Sequence, residues 1–250
     1  IDAAQKARIW ALTHPYEIYE QPSDVGTGTY TGSVEWASKL WTNIEMYRVS
    51  GDTSVSSIIK SLPISNKKAV LQSWQNNYML GIFTIAMSPD AFEAEMVDSA
   101  TSIITTMADN YVKSLDNNGY GVALAKGDFY WGSNGVAANK GMVLIHAYIL
   151  TKDEKYLNAA LSIVDYILGR NPLDKSYLTG YGVNPVMKPH HRPSQADSID
   201  APVPGMIAGG PNASATDCAK KYNNPDAVAR SYYDNSCSYA TNEVAINWNA

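Results

Sequence analysis

The sequence has little basic charge and no long hydrophobic run. It carries 19 lysines and arginines against 24 aspartates and glutamates, which gives a net charge of −5 at pH 7. Because nucleic-acid binders need a clustered basic surface, this balance argues against nucleic acid as a partner. No stretch approaches the run of about 18 apolar residues that a membrane span needs, so no membrane partner is expected either.

Cysteines and nucleophile motifs are also scarce. Cys218 and Cys237 are the only cysteines, so a zinc site is not expected, and the sequence leaves open whether the two form a disulfide. The motifs of serine and cysteine nucleophiles are missing, as are glycine-rich loops for phosphates and dinucleotides. The sequence therefore gives no support to cofactor-dependent chemistry.

Phenylalanine is also rare, since the sequence has 3 Phe against 17 Tyr and 6 Trp. Tyr and Trp rings have a polar edge and can lie flat against a ligand such as a sugar, although burial in a core explains any single ring equally well. Trp131 and Trp74 each stand beside polar residues at the edge of a predicted helix. With 250 residues, 45% of them hydrophobic, the chain has the composition of a folded globule.

Most of the first two thirds of the chain is predicted to be helical. Apolar stripes between turn signals predict helices over residues 4–12, 34–49 and 69–87. Ser88-Pro89-Asp90 supplies a cap, a proline for the first helical position and an acid for the first turn. This signal predicts a further helix that starts at Ser88 and ends where Asp116 begins a turn.

Two later helices are predicted to form an antiparallel hairpin through a short connection at residues 151–154. Residues 141–150 are apolar on nearly every face, which predicts an inner helix packed on all sides. The next helix is amphipathic and stops at Gly169, and its expected packed face consists of Leu157, Ala160, Leu161, Val164, Ile167 and Leu168. Repeated hairpins of one inner and one outer helix predict a helical toroid or bundle.

Residues 170–237 are dense in Pro, Gly, Asn and Ser, so no long helix is expected there. Apolar and aromatic residues scattered through this stretch favour an ordered, packed loop system over disorder. Asn212-Ala213-Ser214 fits the N-glycosylation pattern, a short match that is frequent by chance. From residue 241 to 250 the sequence predicts another helix, capped by Thr241 or Asn242.

Two groups of side chains could carry chemistry. Pro189-His190-His191-Arg192 places two imidazoles and a guanidinium in a loop, too close for all three to bind one metal but suited to a polyhydroxylated ligand. A structural cluster is the simpler interpretation of that block. Glu243 is predicted in the first turn of an apolar helix, where it would complement the helix dipole. A role as general acid would also require apolar burial or a nearby carboxylate.

Three blocks of sequence, taken together, resemble glycoside hydrolase family 9, the cellulase family that includes endoglucanases and some cellobiohydrolases. The first is Trp131-Gly132-Ser133-Asn134 with the helix that follows it. The second runs from residue 165 through 182 to the His-His-Arg block and Pro193, and the third is residues 238–250. Gly209-Gly210-Pro211-Asn212 lies between the last two, as in the family. Weaker similarity at residues 4–8 and 47–52 extends the resemblance over the whole chain.

The resemblance implies an all-α fold, the (α/α)6 toroid of helical hairpins with long ordered loops. Residues 1–250 would be the C-terminal part of a single catalytic domain and supply roughly half of the toroid. The implied activity is inverting hydrolysis of β-1,4-glucosidic bonds in cellulose or a related β-glucan by an endo-β-1,4-glucanase, with a cellobiohydrolase as the alternative. A secreted, extracellular protein is then expected; carbohydrate-binding and docking modules occur around such enzymes, and none is visible in this sequence.

The resemblance also assigns roles to individual residues. Glu243 matches the catalytic acid that protonates the leaving oxygen. His190 and Arg192 match the block that binds the sugar next to the scissile bond. Further candidates for substrate binding are Trp131, Tyr239, Asp234 and Trp74.

The catalytic base is a first departure from the family pattern. In the family it is an aspartate in an Asp-Ala-Gly-Asp motif, and no such motif occurs here. Inverting hydrolysis needs two carboxyl groups roughly 6.5–9.5 Å apart with a water between them. The base is therefore expected outside this chain, in the N-terminal half of the domain. A chain that had lost the base would be a non-catalytic glucan-binding fragment.

Calcium is the second departure. Many family members bind it with an Asp-Glu pair, whose place here is taken by Gly32-Ser33-Val34-Glu35, with Glu35 as the one carboxylate. No cofactor is expected to be required. Calcium is disfavoured at this place, and a calcium site elsewhere stays open.

Overall fold

The computed structural model describes residues 1–14, 20–26, 35–56, 59 and 69–249. These residues form helices joined by turns and irregular loops. Strand pairing within them is limited to isolated bridges, which join Ser176 to Pro185, Leu178 to Ile207 and His190 to Glu243. The chain divides into two compact units, Ile1–Ile104 and Thr105–Ala250. None of the helices in the described ranges has both the length and the apolar composition needed to cross a bilayer.

The longer helices are α1 (Asp2–Thr13), α2 (Glu35–Ser50), α3 (Tyr78–Ala86), α4 (Ala94–Leu115), α5 (Ser133–Thr151) and α6 (Glu154–Ile167). The short helices are α7 (Arg192–Ala196), α8 (Tyr239–Asn242) and α9 (Ile246–Asn249). Single 3-10 turns occur at Thr53–Val55, Lys126–Asp128, Cys218–Tyr222 and Val228–Arg230. Helices α1 and α2 confirm the predictions at 4–12 and 34–49, except that residue 34 lies outside the described residues.

Two predicted helix starts in the first half of the chain are wrong. The helix expected over 69–87 begins only at Tyr78, because Ser73 and Asn76 exchange two backbone hydrogen bonds of 2.8 and 3.2 Å in a tight turn. The Asn76 side chain then accepts from the Tyr78 backbone N–H at 2.9 Å. The helix expected from Ser88 begins at Ala94, since the Ser88 carbonyl closes a separate turn instead. In both places a local turn uses the backbone groups that the helix would need.

In the first unit, α2 packs against α3. Leu40 and Ile44 on α2 and Ile82 on α3 are fully buried. Their close approach depends on Gly81, since a Cβ there would lie 2.8 Å from Cδ1 of Ile44. Each buried aliphatic side chain of this size stabilises the unit by about 1.5–3 kcal/mol.

In the second unit, α5 and α6 form the predicted helical hairpin. Lys152 ends α5 with a left-handed φ of 59°, and Asp153 caps α6 by accepting from the backbone N–H of Lys155 at 3.0 Å. Helix α5 is not packed on all sides, which corrects the prediction, because Met142 and Ile149 are 40% and 39% exposed.

The buried face of α6 also differs from the predicted one. Leu161 and Val164 were expected in the core but are 52% and 47% exposed. The face that packs instead contains Tyr156, Ala159, Ala160, Ile163, Tyr166 and Ile167. The helix has apolar residues on two faces, and the face with two tyrosine rings buries the larger area.

The long loop region is ordered and packed, as predicted. Tyr177, Val186 and Ala208 within it are fully buried. Cys218 and Cys237 form a disulfide, which settles the alternative that the sequence left open. The Asn212 side chain is 4% exposed and donates to a backbone carbonyl, so its glycosylation motif is not presented at the surface.

Candidate active site

Glu243 does not lie in the first turn of a helix, which corrects the sequence prediction. Helix α8 ends at Asn242, and Glu243 is extended, with φ −63° and ψ 144°. The His190 N–H donates to the Asn242 carbonyl at 2.8 Å, and the Gly209 N–H donates to the Glu243 carbonyl at 2.9 Å. These bonds to two other segments take up backbone groups that a helix would use, and α9 begins only at Ile246. The carboxyl group is therefore not held at a helix N-terminus, where the helix dipole favours a negative charge.

The two carboxyl oxygens of Glu243 have different surroundings. Trp131 donates its indole Nε1–H to Oε2 at 2.8 Å. No described residue donates to Oε1. Because Oε2 already accepts an N–H bond, Oε1 is the carboxyl oxygen with room for a proton in the acid form.

Aromatic rings lie next to this carboxyl group. The Tyr239 ring centroid is 5.2 Å from the Trp131 ring and 6.1 Å from the His190 ring, which it meets edge to face. The Trp131 and Tyr239 side chains are 45% and 37% exposed, so both rings are open to a ligand. Trp131, His190, Tyr239 and Glu243 were all predicted from the sequence, and the structure brings them together.

The three side chains of the His190-His191-Arg192 block make different contacts. His190 Nδ1 lies 2.7 Å from the Ser236 carbonyl oxygen, which can only accept, so Nδ1 carries a proton, and in the tautomer with that single proton Nε2 is an acceptor. His191 instead caps α7, since its imidazole accepts from the backbone N–H of Ser194. The exposed Arg192 guanidinium has no hydrogen-bond acceptor or acid partner within the described part of the chain.

Asp234 has a supporting position. Its carboxylate accepts from the backbone N–H groups of Met187 and Lys188 at 3.0 and 2.9 Å. It also accepts from the Asn242 amide at 3.1 Å and the Lys175 ammonium at 3.2 Å. Two donors on each oxygen fill its hydrogen-bonding capacity. The contacts of Asp234 thus connect Met187 and Lys188, just before His190, to Asn242, just before Glu243.

Asn242 is a functional residue that sequence reasoning missed, because it was interpreted only as a helix cap. Its side chain is fully buried. Its amide nitrogen donates to the Lys188 carbonyl and to Asp234, and its amide oxygen accepts from the Tyr232 hydroxyl. Burial raises the pKa of Tyr232 well above its usual value, and the Asp234 charge adds to the effect, so the hydroxyl keeps its proton and remains a donor.

One loop joins the tryptophan side of the site to the glutamate side. The Asn134 N–H donates to the Gly209 carbonyl at 3.0 Å, and the Gly210 N–H donates to the Thr241 carbonyl at 2.8 Å. Gly210 has a φ of 94°, and a Cβ there would lie 2.5 Å from Cγ of Asn134. Gly209-Gly210 is part of the sequence resemblance to the family. Its position between the tryptophan side and the glutamate side of the site could not be predicted from that resemblance.

The remaining predictions concern residues of the first unit. Trp74 lies in the first unit, 49% exposed, and its role in substrate binding stays a prediction. At the place of the family's calcium site, residues 32–34 lie outside the described residues, and Glu35 forms an ion pair with Lys39. Calcium takes six to eight oxygen ligands, and the expectation that it is disfavoured at this place stays a prediction. Across the described ranges, no group of three or more His, Cys, Asp or Glu side chains is arranged to hold a metal.

Known proteins resemble this chain in both sequence and structure. Endoglucanase D of Acetivibrio thermocellus is 32% identical over 253 residues, which cover 100% of this chain and 38% of that protein. The cellulose 1,4-beta-cellobiosidase of Acetivibrio thermocellus is 30% identical over 285 residues, which cover 100% of this chain and 32% of that protein. The crystal structure of a single-mutant thermostable endoglucanase from Alicyclobacillus acidocaldarius superposes on this chain with a TM-score of 0.88 at 30% identity. The superposition covers 99% of this chain and 47% of that protein.

These similarities confirm the predicted fold class, the all-α (α/α)6 fold. The chain spans 32% to 47% of the length of these relatives. The model of glycosyl hydrolase family 9 matches residues 1–250, and the chain therefore belongs to that family.

Proposed function

We propose that this chain carries the proton donor and part of the sugar-binding surface of an enzyme that hydrolyses β-1,4-glucosidic bonds in cellulose or a related β-glucan. The observation that supports this proposal is the Glu243 carboxyl group. Trp131 holds its Oε2 at 2.8 Å, its Oε1 has no donor among the described residues, and an exposed tyrosine ring and an imidazole lie beside it. The names of the relatives, an endoglucanase and a cellobiosidase, support the same substrate class.

The proposed chemistry is a single displacement. Glu243 gives its Oε1 proton to the glycosidic oxygen as the bond from C1 to that oxygen breaks. A water attacks C1 from the opposite face while a base takes its proton, so the configuration at C1 inverts. Nε2 of His190 accepts from a sugar hydroxyl, the Arg192 guanidinium donates to others, and the rings of Trp131 and Tyr239 bind the apolar face of a glucose unit.

The base comes from outside this chain in this proposal. Asp234 is the next carboxylate along the same segment, but both its oxygens already accept from protein donors. It therefore has no oxygen free to take a proton from water. The N-terminal half of a complete catalytic domain would be the partner that supplies the base.

Endoglucanase activity is the leading proposal, and a cellobiohydrolase is the second candidate because one relative is a cellobiosidase. The lengths of the products separate the two, since an endo-acting enzyme releases mixed oligosaccharides and an exo-acting one releases mainly cellobiose.

We also propose a secreted, extracellular location. The Cys218–Cys237 disulfide supports it, because disulfides persist in oxidising compartments. The proposed acid–base chemistry requires no cofactor.

The test compares the 250-residue chain with Glu243→Gln, which keeps an acceptor oxygen for Trp131 but has no acidic proton. We expect both proteins to bind cellotetraose with similar affinity in calorimetry, and neither to release reducing sugar from carboxymethyl-cellulose, because the base is missing. Azide attacks without a base. It should allow the unmodified chain alone to cleave phenyl β-cellobioside, with the α-cellobiosyl azide as product.

Three results would contradict parts of this proposal. Failure of the folded chain to bind cellotetraose would refute the substrate class. Azide-supported cleavage that persists in Glu243→Gln would refute the acid. Hydrolysis without azide that is lost in the variant would place the base inside this chain.

A further inference from the structure

Residues 236–240 carry two groups of the site, and one neighbouring loop holds this segment at both ends. Near its start, Cys237 forms the disulfide with Cys218. At its end, the Ala240 N–H donates to Oδ2 of Asp217 at 2.7 Å. Asp217 and Cys218 are adjacent in the sequence, so two neighbouring loop residues supply a hydrogen bond and a covalent bond to the same five-residue segment.

Asp217 is itself held in place. Its Oδ1 accepts from the Ala219 N–H at 2.8 Å and so caps the 3-10 turn at Cys218–Tyr222. Beside it, Ala215, Ala219 and Ala240 form a small buried cluster, each no more than 2% exposed. One oxygen of Asp217 thus fixes its own turn while the other oxygen fixes the site segment.

Two groups of residues 236–240 contact the cluster around Glu243, one between the two attachment points and one just before the first. The Tyr239 ring lies 5.2 Å from the Trp131 ring and 6.1 Å from the His190 ring. The Ser236 carbonyl lies 2.7 Å from Nδ1 of His190 and so determines which imidazole nitrogen carries the proton.

We propose that Asp217 and the Cys218–Cys237 disulfide act as one clamp, and that Asp217 is a positioning residue for the sugar site. Neither bond involves a group of the sugar-contacting cluster directly. The clamp acts through the Tyr239 ring and through the Ser236 carbonyl, which together fix the orientation of the His190 imidazole. The identity of the sugar rests on the proposed function, whereas the positions of the ring and the imidazole do not.

The clamp predicts that either attachment limits the motion of the segment when the other is lost. Asp217→Ala should weaken cellotetraose binding about tenfold, the equivalent of 1.4 kcal/mol. Reduction of the disulfide should weaken it by a similar factor, and reoxidation should restore it. Loss of both attachments should cost more than the product of the two single effects, because only then is the segment free at both ends.

The experiment measures cellotetraose affinity by calorimetry and the imidazole nitrogen shifts of His190 by ¹⁵N NMR. The variants are Asp217→Ala, Asp217→Asn, and Cys218→Ala with Cys237→Ala. Asp153→Ala is the matched control, because Asp153 caps α6 with the same type of hydrogen bond, at 3.0 Å to Lys155, within a different element. Asp217→Asn keeps one acceptor oxygen, and reduction acts on the folded chain, so a result is obtained even if the alanine variant does not fold.

In the Asp217 variants and on reduction of the disulfide, we expect the imidazole nitrogen shifts of His190 to move from the Nδ1–H pattern toward those of a mixture of the two tautomers. In Asp153→Ala they should stay unchanged. Unchanged shifts in every Asp217 variant, or equal changes in Asp153→Ala, would overturn the clamp. If the chain does not bind cellotetraose at all, the proposed function fails, while the imidazole shifts still decide whether the clamp exists.

Discussion

Replacing Asn242 by alanine should destabilise the second unit more than any change to an exposed residue of the site. Its side chain is fully buried and makes three hydrogen bonds, to the Tyr232 hydroxyl, the Lys188 carbonyl and Asp234. Asn242→Ala removes all three together. Asp234 keeps its three other donors and Lys188 is exposed, so water can replace what these two lose.

The Tyr232 hydroxyl has no such replacement, because the side chain is only 7% exposed. A buried polar group without a partner costs about 1–3 kcal/mol, and a lost hydrogen bond about 1 kcal/mol. We therefore expect Asn242→Ala to lower the free energy of unfolding by about 3–4 kcal/mol. Tyr232→Phe leaves one amide oxygen unpaired and should cost about 1–2 kcal/mol.

The assay is a double-mutant cycle by urea denaturation, accepted only where the m-value is unchanged. In the double variant the stranded hydroxyl no longer exists, so its cost should be about 1–2 kcal/mol less than the sum of the two single effects. Costs that add within about 0.5 kcal/mol would refute the direct bond between the two side chains.

The effect of Tyr232→Phe on the free energy of unfolding should also depend on pH in alkaline solution. The raised pKa of Tyr232 means that the folded protein holds a proton that the unfolded chain releases near pH 10. Its contribution to stability is complete below about pH 10 and is lost as the pH rises toward the folded pKa. Tyr232→Phe should reduce the loss of stability above pH 10 by about 1.4 kcal/mol per pH unit, and an unchanged slope would contradict the burial argument.

Two further substitutions test the walls of the site. Trp131→Phe keeps an aromatic ring but removes the hydrogen-bond donor to Glu243, so azide-supported cleavage should fall about tenfold. The loss is modest because the indole is 45% exposed, and cellotetraose binding should change far less. Equal losses of binding and cleavage would contradict this reasoning. Gly210→Ala should cost about 2–4 kcal/mol in urea denaturation, because φ is 94° and the added Cβ would collide with Asn134. Gly127→Ala, which meets no atom within 4 Å, should change stability by less than about 0.5 kcal/mol, and a comparable loss there would show that strain at residue 210 is not the cause.

Helices with a regular apolar stripe could be predicted from the sequence, whereas helix starts that depend on competing turns could not. Helices α1, α2 and the α5–α6 hairpin follow from local periodicity. The start of α3 was misplaced because Ser73 and Asn76 close a turn with each other, a choice that periodicity does not report. The packed face of α6 was wrong for a related reason, since two apolar faces compete and only the neighbouring helix decides between them.

The candidate site shows the same division. Trp131, His190, Tyr239 and Glu243 could be named from blocks that resemble a family. Their supports could not be found, because the partner of a buried polar residue can lie far away in sequence. Asn242 bonds to a carbonyl 54 positions away, and Asp217 bonds to an N–H 23 positions away. Neither bond leaves a periodic pattern in the chain.

The hydrogen bond between Trp131 and Glu243 joins residues 112 positions apart. Closing so long a loop costs chain entropy before any contact repays it, so contacts of this kind form late in folding. Helices α5 and α6 can form from local contacts well before that step. A partly folded second unit would then show its full helical signal in circular dichroism and still lack the hydrogen bond from Trp131 to Glu243. The contact between Trp131 and Glu243, and not helix content, is therefore the measure of whether a preparation of this chain has finished folding.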